Sequence, residues 1–445
     1  MRTIDQLVEA IRTRKISPVE VAEDCLRRIS DLNPALNAIV TVAPDLLERA
    51  REAEAAVMRG DELGALHGVP LTIKDTIETA GLRTTSGSKI RAGHVPTVDA
   101  PAVTLLKSAG AIILGKTNAA EMAMDYNADN PLFGRANHPL DPKLTPGGSS
   151  GGEAVAIATG MSSGGLGSDL AGSVRIPAHF CGIAALKPGT GRVPGAGQFP
   201  PSTGPYGLGA VIGPMARQVA DLQLLFEALV EKDTSGTDLP GYRFAWYRDD
   251  GVVPVTVETA TAVANAAAAL ADAGLIGEER RPPHVERGNE LWLKLFSRAS
   301  VVQLRHVYAG RENEGGSFVS WRLRTADDVP PPSLDQYLAD WMERDRLREE
   351  LLRWMETTPI VIAPVGATPA YEHDTLKVTV QGQTMGTFRA FSYAQTFNVF
   401  DLPVVTVPAG RSPEGLPIGV QIVGRPNAEA TVLAAAEIVE QAVSA

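Results

Sequence analysis

Cysteine is scarce: Cys25 and Cys181 are the only two in 445 residues, too few and too far apart for a disulfide framework or a paired-cysteine metal site. Aromatic residues make up 5% of the chain. Basic residues are outnumbered, 41 against 52 acidic ones, for a net charge of −11. That balance argues against nucleic-acid binding as the main task, since phosphate contact normally shows as a basic face; a local basic pocket stays compatible with it. No stretch approaches the ~18 apolar residues of a membrane span. The opening Met1-Arg2-Thr3-Ile4-Asp5-Gln6 has no apolar leader, so a soluble cytoplasmic protein with no membrane partner is the expectation. HExxH and similar ligand spacings are missing too, and no metal is expected.

What the chain does contain is 44% hydrophobic and 21% charged residues, with 43 glycines and 32 prolines. This is a globular composition, and a chain of this length buries enough surface to need no covalent staple. A length prior of ~150 residues per domain suggests about three domains, although large α/β enzymes often depart from it. Ala, Gly, Leu and Val would fill the core between many tight turns.

Residues 1–60 read as helices. Thr3 with Gln6 and Ser17 with Glu20 form capping boxes, the second with Pro18 at the first helical position, and a third helix runs from near Pro44 to Gly60. From residue 64 the texture becomes α/β: Val69–Ile73 and Ala111–Leu114 as buried strands, with Val103–Ala109 a helix between them. Gly and Ser dominate 140–190, and 189–214 reads as a long Gly/Pro loop. Helices follow at 216–230 and 257–273, separated by a polar linker near Asp233–Gly241. Residues 285–357 read as a Trp-containing helical insertion over the core, broken at Pro330-Pro331-Pro332. Strand texture returns at Ile360–Ala363, Val404–Val407 and Gly419–Val423, before a closing helix from about Glu429.

Two motifs mislead. Gly110–Thr117 matches the phosphate-loop pattern GxxxxGK[ST], but its four intervening residues, Ala-Ile-Ile-Leu, are a strand rather than a flexible cradle. Gly147–Gly152 contains the nucleophile-elbow pattern GxSxG, yet the preceding Pro142 and Pro146 exclude the central strand that an elbow needs. The seven histidines sit in no telling neighbourhood for a serine–histidine pair.

Three stretches carry chemistry when taken together: Gly68-Val69-Pro70-Leu71-Thr72-Ile73-Lys74-Asp75, Pro146-Gly147-Gly148-Ser149-Ser150-Gly151-Gly152, and Gly165-Leu166-Gly167-Ser168-Asp169-Leu170-Ala171-Gly172-Ser173-Val174-Arg175-Ile176-Pro177. With Phe180-Cys181-Gly182, Leu186-Lys187-Pro188, Gly115-Lys116-Thr117-Asn118, Gly213-Pro214-Met215-Ala216-Arg217, Asn398…Leu402-Pro403 and Gly415–Gln421, they resemble the amidase signature family. The resemblance covers nearly the whole chain and leaves 285–395 outside any motif.

The resemblance implies one amidase domain over 1–445: N-terminal helices at 1–60, a signature core at 64–230 and the insertion at about 285–357. It implies an α/β fold with a central mixed β-sheet surrounded by α-helices. It also implies a Ser-cisSer-Lys triad in which Ser173 is the nucleophile, Ser149 follows a cis peptide bond and Lys74 is the base. A serine hydroxyl is a weak nucleophile that needs an adjacent base. Desolvation lowers a lysine pKa from about 10.4 toward neutrality. Backbone N–H groups of Leu170, Ala171, Gly172 and Ser173 are the implied oxyanion hole, with Ala171 where relatives commonly carry a glycine. Asp169, Arg175, Gly148 and Ser150 are the implied supports. Met122, Met124, Asp125, Tyr126, Phe199 and Tyr206 border the expected pocket.

The function these residues imply is cofactor-free hydrolysis of small neutral aryl or alkyl amides through an acyl-enzyme, with esters and carbamates as further substrates, by a monomer or homodimer. The amidase component of an aminoacyl-tRNA amidotransferase shares the motifs and is the alternative. An inactive binding protein is a poorer fit, because all three triad positions are occupied.

Overall fold

The computed structural model describes residues 2–230, 239–328 and 330–444; most of the expected linker near Asp233–Gly241 lies outside them. Its strands are β1 (Ile39–Val42), β2 (Pro70–Lys74), β3 (Ile112–Thr117), β4 (Gly164–Asp169), β5 (Ala184–Lys187), β6 (Val211–Ala216), β7 (Arg243–Trp246), β8 (Ile276–Glu279), β9 (Ile360–Pro364), β10 (Lys377–Val380), β11 (Gln383–Gly386), β12 (Val404–Arg411) and β13 (Pro417–Gly424). β10 and β11 form a separate hairpin, and the other eleven make one sheet in the order β1-β3-β2-β4-β6-β5-β12-β13-β9-β7-β8. The sheet is mixed: β2 runs parallel to both β3 and β4, whereas β4–β6 and β12–β13 are antiparallel. Helices surround it.

Local signals explain the N-terminal helices. Thr3 and Ser17 both close their capping boxes, starting helices Ile4–Arg12 and Pro18–Leu36, and Gly60 ends Leu46–Arg59 in the left-handed conformation. The phosphate-loop look-alike lies in β3, whose Ile112–Thr117 is buried throughout.

Two expectations are corrected, and the Gly/Ser-rich stretch holds a strand. Residues 1–60 are not all helical, because Ile39–Val42 is strand β1, antiparallel to β3. The 189–214 loop ends earlier, because Val211–Ala216 is a strand; β5 pairs with it only at Met215 and Ala216, so Pro214 falls where that ladder has stopped, a position proline tolerates. The Gly-Gly-Leu-Gly-Ser-Asp run at 164–169 is a fully buried central strand. A Cβ on Gly165 would lie 2.1 Å from the Thr72 carbonyl oxygen, so this glycine is what lets β2 and β4 approach.

The insertion comprises helices Gly288–Trp292, Arg298–Val307, Ser317–Arg324 and Leu334–Trp354, with a π-turn at Leu293–Ser297. Its Trp292, Leu295, Phe296, Leu347 and Leu351 share an apolar cluster with Val361, Phe391 and Phe397. A polar anchor joins it to the core. The buried Glu121 carboxylate accepts hydrogen bonds from Ser88 Oγ (2.9 Å), Tyr308 Oη (2.7 Å) and the Gly316 N–H (2.7 Å).

The parallel register Thr72↔Gly165, Ile73↔Leu166 sets the carboxyl ends of β2 and β4 side by side. In open α/β sheets that edge is where ligands bind. Lys74 closes β2, Ser168 and Asp169 close β4, and the turn 170–174 follows.

Candidate active site

Lys74 has no exposed surface. Its Nζ donates to Ser149 Oγ at 2.6 Å and to Ser168 Oγ at 2.9 Å. Burial pulls its pKa down to about 7, against the opposing pull of Asp169 and Glu153. Lys116 and Lys187 are buried and similarly depressed, to about 7 and about 8. Lys116 Nζ, however, donates to Thr79 Oγ1 (2.8 Å) and the Ile77 carbonyl, and Lys187 Nζ donates to the Pro188 carbonyl (2.9 Å). Among the three, Lys74 alone is bonded to serine hydroxyls. The Gly148–Ser149 peptide is cis, as the motif implies.

The Gly/Ser run and the β4 turn are joined through their backbones. The Ser150 N–H donates to the Ser173 carbonyl at 3.1 Å, and the Ala120 N–H to the Ser149 carbonyl at 3.2 Å. Helix Gly151–Ala158 begins directly after Ser150, and no strand precedes the run, so it is not an elbow. Ser173, 7% exposed, thus sits beside the loop whose preceding serine is bonded to Lys74.

Asp169 organises the turn. Its carboxylate accepts from the N–H groups of Gly172 (2.9 Å) and Val174 (3.1 Å), from Arg175 Nε (3.0 Å) and Nη2 (2.8 Å), and from Asn398 Nδ2 (2.9 Å). Burial alone would raise its pKa, but the Arg175 charge and these hydrogen bonds hold it well below the carboxylate range. Arg175 reaches on to Gln421 Oε1 (2.6 Å) and Asn398 Oδ1 (2.5 Å).

The peptide units before Ser173 differ in what they leave free. Gly172, expected among the oxyanion donors, directs its N–H at Asp169, which corrects that expectation. The N–H groups of Leu170, Ala171 and Ser173 donate to no protein acceptor among the described residues. The Leu170 carbonyl accepts from Trp292 Nε1 (2.9 Å), and the Ala171 carbonyl from Tyr126 Oη (2.6 Å).

The expected pocket residues separate. Tyr126 is buried, stacked on Phe388 with ring centroids 5.2 Å apart, and its hydroxyl braces the turn, so it stands behind the turn. Met124 and Phe199 pack with Met122, Leu304, Tyr308 and Val319, and Arg91 lies 3.9 Å over the Phe199 ring. Tyr206 lies in the 3₁₀ turn Gly204–Leu208. The buried His138 and His179 are committed to backbone partners: the Phe180 carbonyl and Leu140 N–H, and the Thr368 carbonyl and Gly419 N–H. Burial lowers the pKa of both, that of His179 to about 4.

Residues given no role from sequence also contribute. Ser168 is the second partner of Lys74, and Asn398 and Gln421 complete the Asp169–Arg175 network. All three stand inside motifs whose pattern was visible, but their contacts cross from 168 to 74 and from 398 and 421 to 175. Trp292 lies outside every motif.

The chain matches the sequence profile of the amidase family over residues 20–433 and belongs to that family. Hydrolysis of amides is therefore its class of chemistry. It is 32% identical over 485 residues to a glutamyl-tRNA(Gln) amidotransferase component of Moorella thermoacetica, across 99% of this chain and 96% of that protein. It is 32% identical over 455 residues to an indoleacetamide hydrolase of Bradyrhizobium diazoefficiens, across 97% and 85%. Its fold superposes with a TM-score of 0.88, at 25% identity and 99% and 96% coverage, on a bacterial aryl acylamidase of the amidase signature enzymes. No described helix is long and apolar enough to cross a membrane.

Proposed function

We propose that this chain is a cofactor-independent serine amidase acting on small neutral aryl or alkyl amides, with esters and carbamates as further acyl donors. The supporting observation is the 2.6 Å hydrogen bond from solvent-excluded Lys74 to Ser149, in a loop bonded to the backbone of Ser173. Ser173 Oγ attacks the substrate carbonyl, and its proton passes through the Ser149 hydroxyl to neutral Lys74. The N–H groups of Leu170, Ala171 and Ser173 receive the oxyanion. The proton returns by the same relay to the leaving amine, and water then releases the acid from the acyl-enzyme.

A neutral substrate is favoured by the aromatic rings of Trp292 and Phe388, which meet beside the turn. The test is a hydrolysis panel of acyl anilides, alkyl amides, esters, carbamates and carboxylate-bearing amides, run beside Ser173→Ala. Turnover of anilides that disappears in the variant supports the proposal. Turnover confined to carboxylate-bearing amides overturns the substrate class.

The second reading is the ammonia-producing component of a tRNA amidotransferase, favoured by the match over 96% of the Moorella thermoacetica protein. Glutaminase activity and co-purification with a second protein would favour it, and turnover of anilides by the isolated chain would count against it.

A further inference from the structure

The insertion reaches the nucleophile turn through one short helix, Gly288–Trp292. Trp292 donates its indole N–H directly to the Leu170 carbonyl at 2.9 Å. Asn289, three residues earlier and on the same face, donates through Nδ2 to Gln395 Oε1 at 2.7 Å. Gln395 Nε2 donates to Tyr126 Oη at 3.0 Å, and Tyr126 Oη donates to the Ala171 carbonyl at 2.6 Å. Two arms from one helix thus hold two successive carbonyls. The helix itself is fixed closely: a Cβ on Gly288 would lie 1.9 Å from Thr396 Oγ1, and the Trp292 ring packs edge-on against Phe388 at 4.8 Å.

The peptide plane gives these bonds a consequence. In a trans peptide the C=O and N–H point in opposite directions. Fixing the Leu170 carbonyl toward Trp292 aims the Ala171 N–H the other way, and that N–H has no protein partner among the described residues. Fixing the Ala171 carbonyl toward Tyr126 holds the next plane, whose N–H is locked on Asp169. We propose that Trp292, with Asn289 and Gln395 acting through Tyr126, are positioning residues that pre-set the oxyanion-binding geometry from outside the signature motifs. This rests on the serine amidase reading above.

The test compares Trp292→Phe, which keeps a ring but removes the N–H, with Tyr126→Phe on the other arm. Trp341→Phe serves as a packing control, since Trp341 packs edge-on against Phe296 and Tyr337. Each enzyme is assayed with p-nitroacetanilide, and for binding of phenylboronic acid, which mimics the tetrahedral state, and of the acid product. Loss of a full oxyanion donor lowers kcat about 100-fold or more. Mis-aiming one is expected to lower kcat and phenylboronic acid affinity together by about 10-fold, with KM and product affinity within about 2-fold. Trp341→Phe should match the wild type.

If Trp292→Phe fails to fold, Tyr126→Phe carries the same comparison. Folded variants with unchanged kcat, or with kcat and product affinity falling equally, overturn the proposal. Should phenylmethanesulfonyl fluoride fail to label Ser173 in the wild type, the amidase reading falls and this inference with it. Labelling with unchanged variants sinks this inference alone.

Discussion

Arg175 and Asp169 form a two-point ion pair in which neither side chain has any exposed surface. Read in sequence they are two charges flanking a turn, which solvent would satisfy equally well. In the fold the carboxylate is the hub onto which Gly172, Val174, Asn398 and Arg175 all donate. A buried pair of this kind is weak evidence for added stability, but breaking it leaves an uncompensated charge.

Asp169→Asn should therefore damage both folding and catalysis. The amide keeps one acceptor and turns an NH₂ toward donors, leaving Arg175 without its counter-charge. We expect a loss of about 3–5 kcal/mol in urea unfolding and a fall in kcat/KM of about 100-fold or more, as for loss of an oxyanion donor. Because the Asp169 pKa is lowered in the fold, its stabilisation is complete above the ordinary carboxylate range and is lost only as pH falls through the lowered value. Mild acid should leave the turn intact in the wild type. A folded Asp169→Asn protein with normal kcat/KM would contradict this role.

The activity profile should report Lys74. With a pKa near 7, the neutral amine that accepts the Ser149 proton is populated above that pH, so kcat/KM should rise through about pH 7 and stay flat into the alkaline range. Lys74→Arg keeps the charge but does not deprotonate, and should lose at least ~1,000-fold, in line with removal of a nucleophile's base. A profile that falls above neutrality while circular dichroism is unchanged would exclude lysine as the base.

The same burial should be visible in stability. A lysine whose folded pKa is lowered to about 7 from 10.5 binds its proton less tightly folded than unfolded. Between those values the unfolded chain holds more protons, so stability contributed at this site rises with pH and is lowest below about pH 7. Lys74→Met removes the penalty. The variant should be more stable than the wild type by about 2 kcal/mol at pH 6, with the difference shrinking toward pH 10. Lys116 and Lys187 titrate in both proteins and cancel. A difference that grows with pH would mean that Lys74 is not desolvated in the fold.

How much was legible in the sequence depends on how local each signal is. Capping at Thr3 and Ser17 lies within three residues, and both helices start where those side chains place them. The apolar runs Val69–Ile73 and Ala111–Leu114 locate β2 and β3, but β3 continues past Leu114 through Gly115, Lys116 and Thr117, which add nothing to the apolar run. β4 is not marked in this way, because its glycines answer to contact with Thr72 across the sheet, and packing against a neighbour outweighs strand propensity. The bond from Lys74 to Ser149 follows a motif pattern, whereas that from Lys74 to Ser168 depends on the β2–β4 register. Trp292 carries no local mark at all: its role arises from a helix docking 122 residues away from Leu170.

Glu121 offers a test of how the insertion is secured. Its carboxylate accepts three hydrogen bonds, two from hydroxyls and one from the Gly316 N–H, and burial raises its pKa despite them. Because the folded pKa lies above the unfolded one, stability at this site is highest in acid and declines as pH rises between the two. Glu121→Gln should be tolerated, within about 1 kcal/mol: its oxygen can face the Gly316 N–H while the NH₂ donates to the Tyr308 and Ser88 oxygens, whose hydroxyl hydrogens rotate to suit. Glu121→Leu cannot satisfy any of the three donors, and should lose about 2–3 kcal/mol. That loss should fall on the contact between the core and the insertion, so limited proteolysis should cut the leucine variant faster within 298–324 while the glutamine variant resists like the wild type. Equal protease resistance in both variants would show that the apolar packing around Leu304 and Val319 holds the insertion without the carboxylate.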